Sequence, residues 1–238
     1  MKCEIKYAPA TLGDMVFAEK AIQNKIQLYA QGALSGNIML WGPNGSSKST
    51  VARLLVQTLG GTGAHCCNSY EEVLTQKDIK QYLQNYCSLA RMTVTKRLYL
   101  ILDEFDNAKG NLDKFWRALD VCGDDVMAII TTNEPMQVHR SVRSRFDLIE
   151  MKGLTAASLL PRAQMILQAE GVSLPDQQVL AYLMTLEHFR DIRKYMRYLD
   201  SIIALTQHGM ELPAWVPPVP AVSSVPPKPV IKLITSNV

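Results

Sequence analysis

Lys48, Ser49 and Thr50 follow a loop of Gly42, Pro43, Asn44, Gly45, Ser46 and Ser47, a combination able to hold a polyphosphate. Small residues let backbone N–H groups turn toward phosphate oxygens, and the positive N-terminus of a following helix adds to the attraction. In such a loop the lysine reaches the β- and γ-phosphates, and the hydroxyl after it ligates Mg²⁺. The pattern G-x-x-x-x-G-K-[ST] is a P-loop, met from Gly42 to Ser49 with one departure: Ser47 stands where the second glycine belongs. Further along, Asp103 and Glu104 form an acidic pair directly after the apolar run Leu98-Tyr99-Leu100-Ile101-Leu102. Downstream of a P-loop this is the Walker B arrangement, in which Asp103 holds the Mg²⁺ shell and Glu104 polarises an attacking water. Asn133, after Thr131-Thr132, is an ordinary strand-end cap by itself; beside a γ-phosphate it orients a water.

These residues share a site only if the elements bring their ends together. Ile38-Met39-Leu40-Trp41 reads as a strand into the loop, and the chain after Lys48 as a helix. Leu98–Leu102 and Val126–Ile130 are continuous apolar runs, as expected of strands covered on both faces of a parallel sheet. Helical patterns lie between them, at 70–92 and 111–121, and an earlier one ends near Ala30. A short strand is expected at 64–68 and a last one at 148–151. Alternating strands and helices predict a doubly wound α/β fold, whose ligands bind at the carboxyl ends of the strands. That topology predicts one crevice for Lys48, Asp103, Glu104 and Asn133.

From Thr155 the pattern is helical throughout. Thr155 caps a helix through Ala169 that stops at Gly171, a second starts at Pro175, and a third starts at Asp191. The expected organisation is an α/β nucleotide-binding domain at 1–152, a small all-helical domain at 153–210 and a tail at 211–238. Prolines recur from Pro213 to Pro229, which predicts an extended linker. Val230-Ile231-Lys232-Leu233-Ile234 then reads either as a strand docked on its own domain or as a peptide that adds to a partner's sheet edge.

Composition narrows the setting. The 238 residues carry a net charge of only +3, so any nucleic-acid surface must be a local patch. Lys77 and Lys80, on the helical stretch after the second strand, are one such patch or simply a solvated face. Five cysteines, odd in number and without a C-x-x-C pair, suit a reduced intracellular compartment. Adjacent Cys66 and Cys67 lack the second Cys/His pair that a structural metal site requires. The N-terminus has no apolar signal core, and no run approaches membrane-spanning length, so a soluble cytoplasmic protein is expected.

Taken together, the motifs resemble the clamp-loader branch of the AAA+ ATPases, which includes replication factor C and phage clamp-loader large subunits, over about residues 4–207. KYAPATLGDMV is similar to that family's opening K-Y-R-P and T-x-x-D-x-V segment, which packs on adenine and so maps Tyr7 and Pro9 to the base. GPNGSSKST resembles its P-loop, LILDEFDNA its Walker B box, and TTN its sensor 1 strand end. SVRSRFDLIEM resembles the S-R-C segment, which implies an arginine finger at Arg145. FRDIRKYMRYLD resembles the sensor 2 helix of the lid, which implies a nucleotide-sensing role for Arg193. Ala8, Ser47 and Phe146 depart from the family pattern, and the sequence predicts no helical collar domain after the expected lid.

The resemblance implies an ATP- and Mg²⁺-dependent AAA+ ATPase. Its sites complete one another across subunit interfaces of a homo- or hetero-oligomeric ring, and it acts on DNA in replication, with a clamp or replication protein as tail partner. Ser47 predicts slow hydrolysis. The alternative is a nucleotide-dependent, DNA-bound assembly or recruitment protein with little or no turnover.

Overall fold

The computed structural model describes residues 2–60, 66–67, 73, 75–92, 97–105 and 112–215. Five strands form one parallel sheet: β1 (Asn37–Trp41), β2 (Cys66–Cys67), β3 (Leu98–Leu102), β4 (Val126–Thr132) and β5 (Phe146–Glu150), in the order β2-β3-β4-β1-β5. β3 and β4 are buried along their whole length, which explains why their sequences are apolar without alternation.

The two-residue period of the strands sorts these side chains into two cores. Met39, Leu100 and Ala128 face one side, with residues of α4 (Ile79–Arg91) and α5 (Leu112–Cys122). Ile38, Leu40, Ile101 and Ile129 face the other, against α2 (Lys20–Ala30) and the P-loop helix α3 (Lys48–Gly60). Each fully buried leucine or isoleucine contributes about 1.5–3 kcal/mol. The sheet is therefore a stiff platform whose carboxyl ends are held in register, Leu102 beside Ile130 and Trp41 beside Thr132.

A third core belongs to α7 (Ala156–Ala169), α8 (Asp176–Met184) and α9 (Ile192–Gln207), joined by Cys3 of the short N-terminal helix α1 (Cys3–Lys6). The expected caps are present. Thr155 accepts from the Ser158 N–H, Asp191 accepts from the Arg193 N–H, and Gly171 takes a left-handed φ of 77° past the end of α7. The chain's start is tied to this bundle by a bond from the Cys3 N–H to Asp200 at 2.8 Å and one from the Tyr7 hydroxyl to Glu170 at 2.7 Å.

Several expected boundaries move. The helix expected over 70–92 is interrupted: Val73 is helical and buried, 75–78 are not helical, and α4 starts at Ile79, where the Asp78 carboxylate caps it by accepting the Gln81 N–H at 2.9 Å. Its buried face, Ile79, Leu83, Cys87 and Ala90, begins there too. Lys77 thus precedes the helix rather than riding on it, while residues 70–72 and 74 lie outside the described residues. Of the strand expected at 64–68, the described part is Cys66–Cys67, paired with Tyr99 and Leu100; the Cys66 and Cys67 side chains lie outside the description. The last strand runs Phe146–Glu150 rather than 148–151, since pairing with β1 starts at Asn37 opposite Phe146. The expected tail is not extended linker from its first residue: Leu212 and Trp215 pack on the helical bundle, and the Pro213 carbonyl accepts from the Tyr182 hydroxyl at 2.8 Å. The rest of the proline-rich stretch and Val230 to Ile234 lie outside the described residues. Among the described residues no helix is long and apolar enough to cross a membrane, and no cluster of metal-ligating His, Cys, Asp and Glu side chains occurs.

Candidate nucleotide site

At the carboxyl ends of β1, β3 and β4 a cavity of about 680 Å³ opens between the sheet and the helical bundle. Its walls include Asn44 to Thr50 of the loop, Asp103, Glu104, Asn133, Tyr7 and Pro9, with Ile192, Arg193 and Met196 from α9. The crevice predicted from topology therefore assembles Lys48, Asp103, Glu104 and Asn133, and both residues of the expected adenine segment join it. Leu154, Leu159, Met15 and Val16 add an apolar surface fit for a base.

Lys48 begins α3 and is 8% exposed. Its ammonium donates to the carbonyls of Gly42 and Pro43, each at 2.8 Å, and to Asn133 Oδ1 at 2.9 Å. The carbonyls of Gly42 and Pro43 thus hold the Lys48 ammonium at the base of the loop. Gly42 has a packing reason to be glycine: a Cβ there would lie 2.2 Å from the Met151 carbonyl oxygen, just past β5. Gly45 has another, since its Cβ would lie 1.9 Å from Asp191 Oδ1, and the Ile192 N–H donates to its carbonyl at 3.2 Å. The N-terminus of α9 thus sits directly on the P-loop.

Ser47 has φ 65°, so the position keeps the left-handed turn that a glycine would make easily. Glu104, at φ 53°, is held the same way, with its N–H donating to Thr131 Oγ1 at 3.0 Å. The Thr131 hydroxyl in turn donates to Asp103 Oδ1, and the Ser49 hydroxyl donates to that same oxygen at 2.6 Å. Thr131, 1% exposed, is a residue that sequence reasoning missed. It links the two acidic residues, and the only sequence signal for it is a threonine at the end of an apolar run. Arg53 was also missed. It lies one turn beyond Ser49 on α3, and its Nη2 is 3.8 Å from Asp103 Oδ2. Hydroxyl and carboxylate oxygens in contact form the hard donor set that Mg²⁺ favours, so Ser49 and Asp103 fit that ion.

Arg193 lines the cavity, with Nε 3.9 Å from Glu4 Oε1, so α9 and α1 meet across it. Arg145 is elsewhere. It lies off the cavity wall, between α6 (Arg140–Arg143) and β5, paired to Asp120 of α5.

Residues 38–154 match the ATPase family associated with various cellular activities (AAA). Among curated proteins, the replication factor C large subunit of Thermococcus kodakarensis is 24% identical over 205 residues, 83% of this chain and 40% of that protein. The large subunit of Pyrococcus horikoshii is 25% identical over 84% of this chain and 42% of its own length. A replication factor C small subunit of Methanosphaera stadtmanae is 24% identical over 82% and 61%. The chain carries an AAA+ ATPase domain and is similar to replication factor C subunits over about four fifths of its length. It spans about two fifths of the length of the large subunits it matches. In fold, this AAA+ protein is similar to the Holliday junction branch migration motor RuvB of Thermotoga maritima, with a TM-score of 0.64 at 16% identity over 85% of this chain and 67% of that one.

Proposed function

We propose that this AAA+ protein binds Mg²⁺·ATP in the cavity and hydrolyses it at subunit interfaces of an oligomer acting on DNA in replication. The carrying observation is the convergence of Lys48, Ser49, Asp103, Thr131 and Glu104 on one cavity while Arg145 lies off it. Lys48 exchanges a loop carbonyl for the β- and γ-phosphates. Ser49 and Asp103 hold Mg²⁺, which when bound neutralises charge on the transferring phosphoryl group. Glu104 accepts the proton of the attacking water, and Asn133 orients that water. Tyr7, Pro9 and the apolar wall take the base. Helices α7 to α9 serve as a lid, with Arg193 reading the phosphates from the opposite side to Lys48. Arg145, supplied by one subunit to the next, stabilises charge in the transition state, a contribution of about 10³–10⁵ in rate.

Relatives named as replication factor C subunits support the DNA-replication setting. A clamp-like partner and a cytoplasmic location belong to the same proposal. Exposed Lys77 and Lys80 are the proposed DNA patch. A recruitment role with slow turnover is favoured by one observation, the left-handed backbone at Ser47.

The test mixes two full-length variants, Lys48→Ala and Arg145→Ala, each expected to be strongly impaired alone. Restored ATP turnover in the mixture supports completion in trans. A mixture that stays inactive while both proteins still assemble overturns it. Turnover measured with and without primed DNA separates the two readings, because a recruitment protein binds DNA with ATP yet shows no stimulated hydrolysis.

A further inference from the structure

Arg145 is held in a fixed pose by its own subunit. Its Nε donates to Asp120 Oδ1 and its Nη2 to Asp120 Oδ2, both at 2.8 Å, and its Nη1 donates to the Ser141 carbonyl at 2.6 Å. A guanidinium has five N–H donors. Three are used in this way, which leaves one on each terminal nitrogen, a two-pronged fork matched to a phosphate.

The partner is itself well anchored. Asp120 lies one turn after Trp116 on α5, and Trp116 meets Phe146, the neighbour of Arg145, edge to face at 5.6 Å between ring centroids. Trp116 and Phe146 are both buried. A buried aromatic contact and an exposed ion pair thus clamp the same two elements at adjacent positions, so the carboxylate and the guanidinium cannot drift apart independently. The arginine bond also holds the Asp120 carboxyl below the usual carboxylate range. The pair is therefore intact above the ordinary carboxylate range and is lost only when acid protonates Asp120.

We propose that Asp120 is the positioning residue of Arg145, fixing its guanidinium with the terminal fork free for the triphosphate bound by a neighbouring subunit. This rests on Arg145 acting in trans. Arginine loses rotamer freedom when it engages a phosphate, and a side chain already ordered loses less. The benefit falls on the transition state rather than on nucleotide binding, because the fork belongs to a different subunit from the loop that grips the phosphates.

The experiment compares Asp120→Ala, Asp120→Asn, Arg145→Ala and the Asp120→Ala/Arg145→Ala double variant in the full-length protein. It measures nucleotide affinity, kcat, KM and melting temperature. Asp120→Ala is expected to lower kcat about tenfold with nucleotide affinity unchanged. Asp120→Asn, which keeps one acceptor oxygen, should lose less. The double variant should be no worse than Arg145→Ala alone, since positioning is irrelevant once the arginine is gone. Faster turnover in Asp120→Ala, or a loss that adds to that of Arg145→Ala, overturns the proposal. Inactive Arg145→Ala beside a normal Asp120→Ala removes the positioning role and leaves the interface reading intact. An unaffected Arg145→Ala removes the interface reading, and the Asp120 proposal with it.

Discussion

Lys48 and Arg145 are the two cations on which the functional reading depends, and the fold holds them in opposite ways. Lys48 is nearly buried, and its three described bonds go to neutral oxygens of the loop and of Asn133. Arg145 has 37% of its side chain exposed, and a carboxylate grips it on two nitrogens. A neutral carbonyl is a weak competitor for an ammonium beside a phosphate, so Lys48 can turn to its ligand at small cost. A bidentate carboxylate is a strong competitor, so Arg145 is more stably shared than surrendered. On the proposed reading, the nucleotide's own subunit offers a cation that changes partners, and the neighbour offers one that keeps its partner and uses its spare donors. That reading assigns binding to the first kind of grip and catalysis to the second.

The sharpest way to break that contrast is to remove the movable cation. Hydrogen bonds to charged groups contribute about 1.5–3 kcal/mol each, and Lys48→Ala deletes two of them on the phosphates. The expected loss is at least about 100-fold in ATP affinity, measured by titration with a fluorescent nucleotide. Glu104→Gln should leave that affinity unchanged and lower turnover by about 10²–10⁴. Normal turnover in either variant would end the enzymatic reading.

A smaller effect is expected at Ser47, which shapes the loop around Lys48 without touching Arg145. Holding a side chain in the left-handed region costs about 1–2 kcal/mol, which Ser47→Gly relieves. The glycine also gives the unfolded chain more freedom, which takes back about 0.5–1 kcal/mol in stability. Melting temperature should therefore change little. Nucleotide affinity or turnover should rise about fivefold if the strain is felt on phosphate binding, since ~1 kcal/mol is about that factor. Weaker ATP binding in the glycine variant would mean that the Ser47 side chain itself contributes to the site.

Much of this was legible in the sequence, for a physical reason. β3 and β4 are covered on both faces, so their residues are uniformly apolar and mark the strands without ambiguity. The caps at Thr155 and Asp191 are local interactions, written within three residues of where they act. What stayed hidden is long-range. Thr131 bridges to Asp103 across 28 positions, Arg145 to Asp120 across 25, and Tyr182 to Pro213 across 31. No local pattern distinguishes Asp120 from any other exposed acid on a helix. The glycines of the loop carry a further long-range constraint: Gly42 and Gly45 have packing reasons, against Met151 and Asp191, that a phosphate-binding pattern alone does not reveal.

The smallest expected effect lies in the last stretch of chain, where neither cation should notice the change. Leu212 and Trp215 lie half-buried on the core of α7 to α9, and the Tyr182 hydroxyl donates to the Pro213 carbonyl. A cut before Pro213 therefore leaves Tyr182 without that acceptor and strips Trp215 from the bundle. The lost bond and apolar area together amount to about 2–3 kcal/mol, enough to lower the melting temperature by several degrees. A cut after Trp215 keeps both contacts. It should leave the melting temperature, ATP affinity and complementation between Lys48→Ala and Arg145→Ala unchanged, as read by calorimetry and turnover. If the longer form also loses stability, the segment from Val230 to Ile234 is a strand of this fold, and its reading as a partner-binding peptide has no basis.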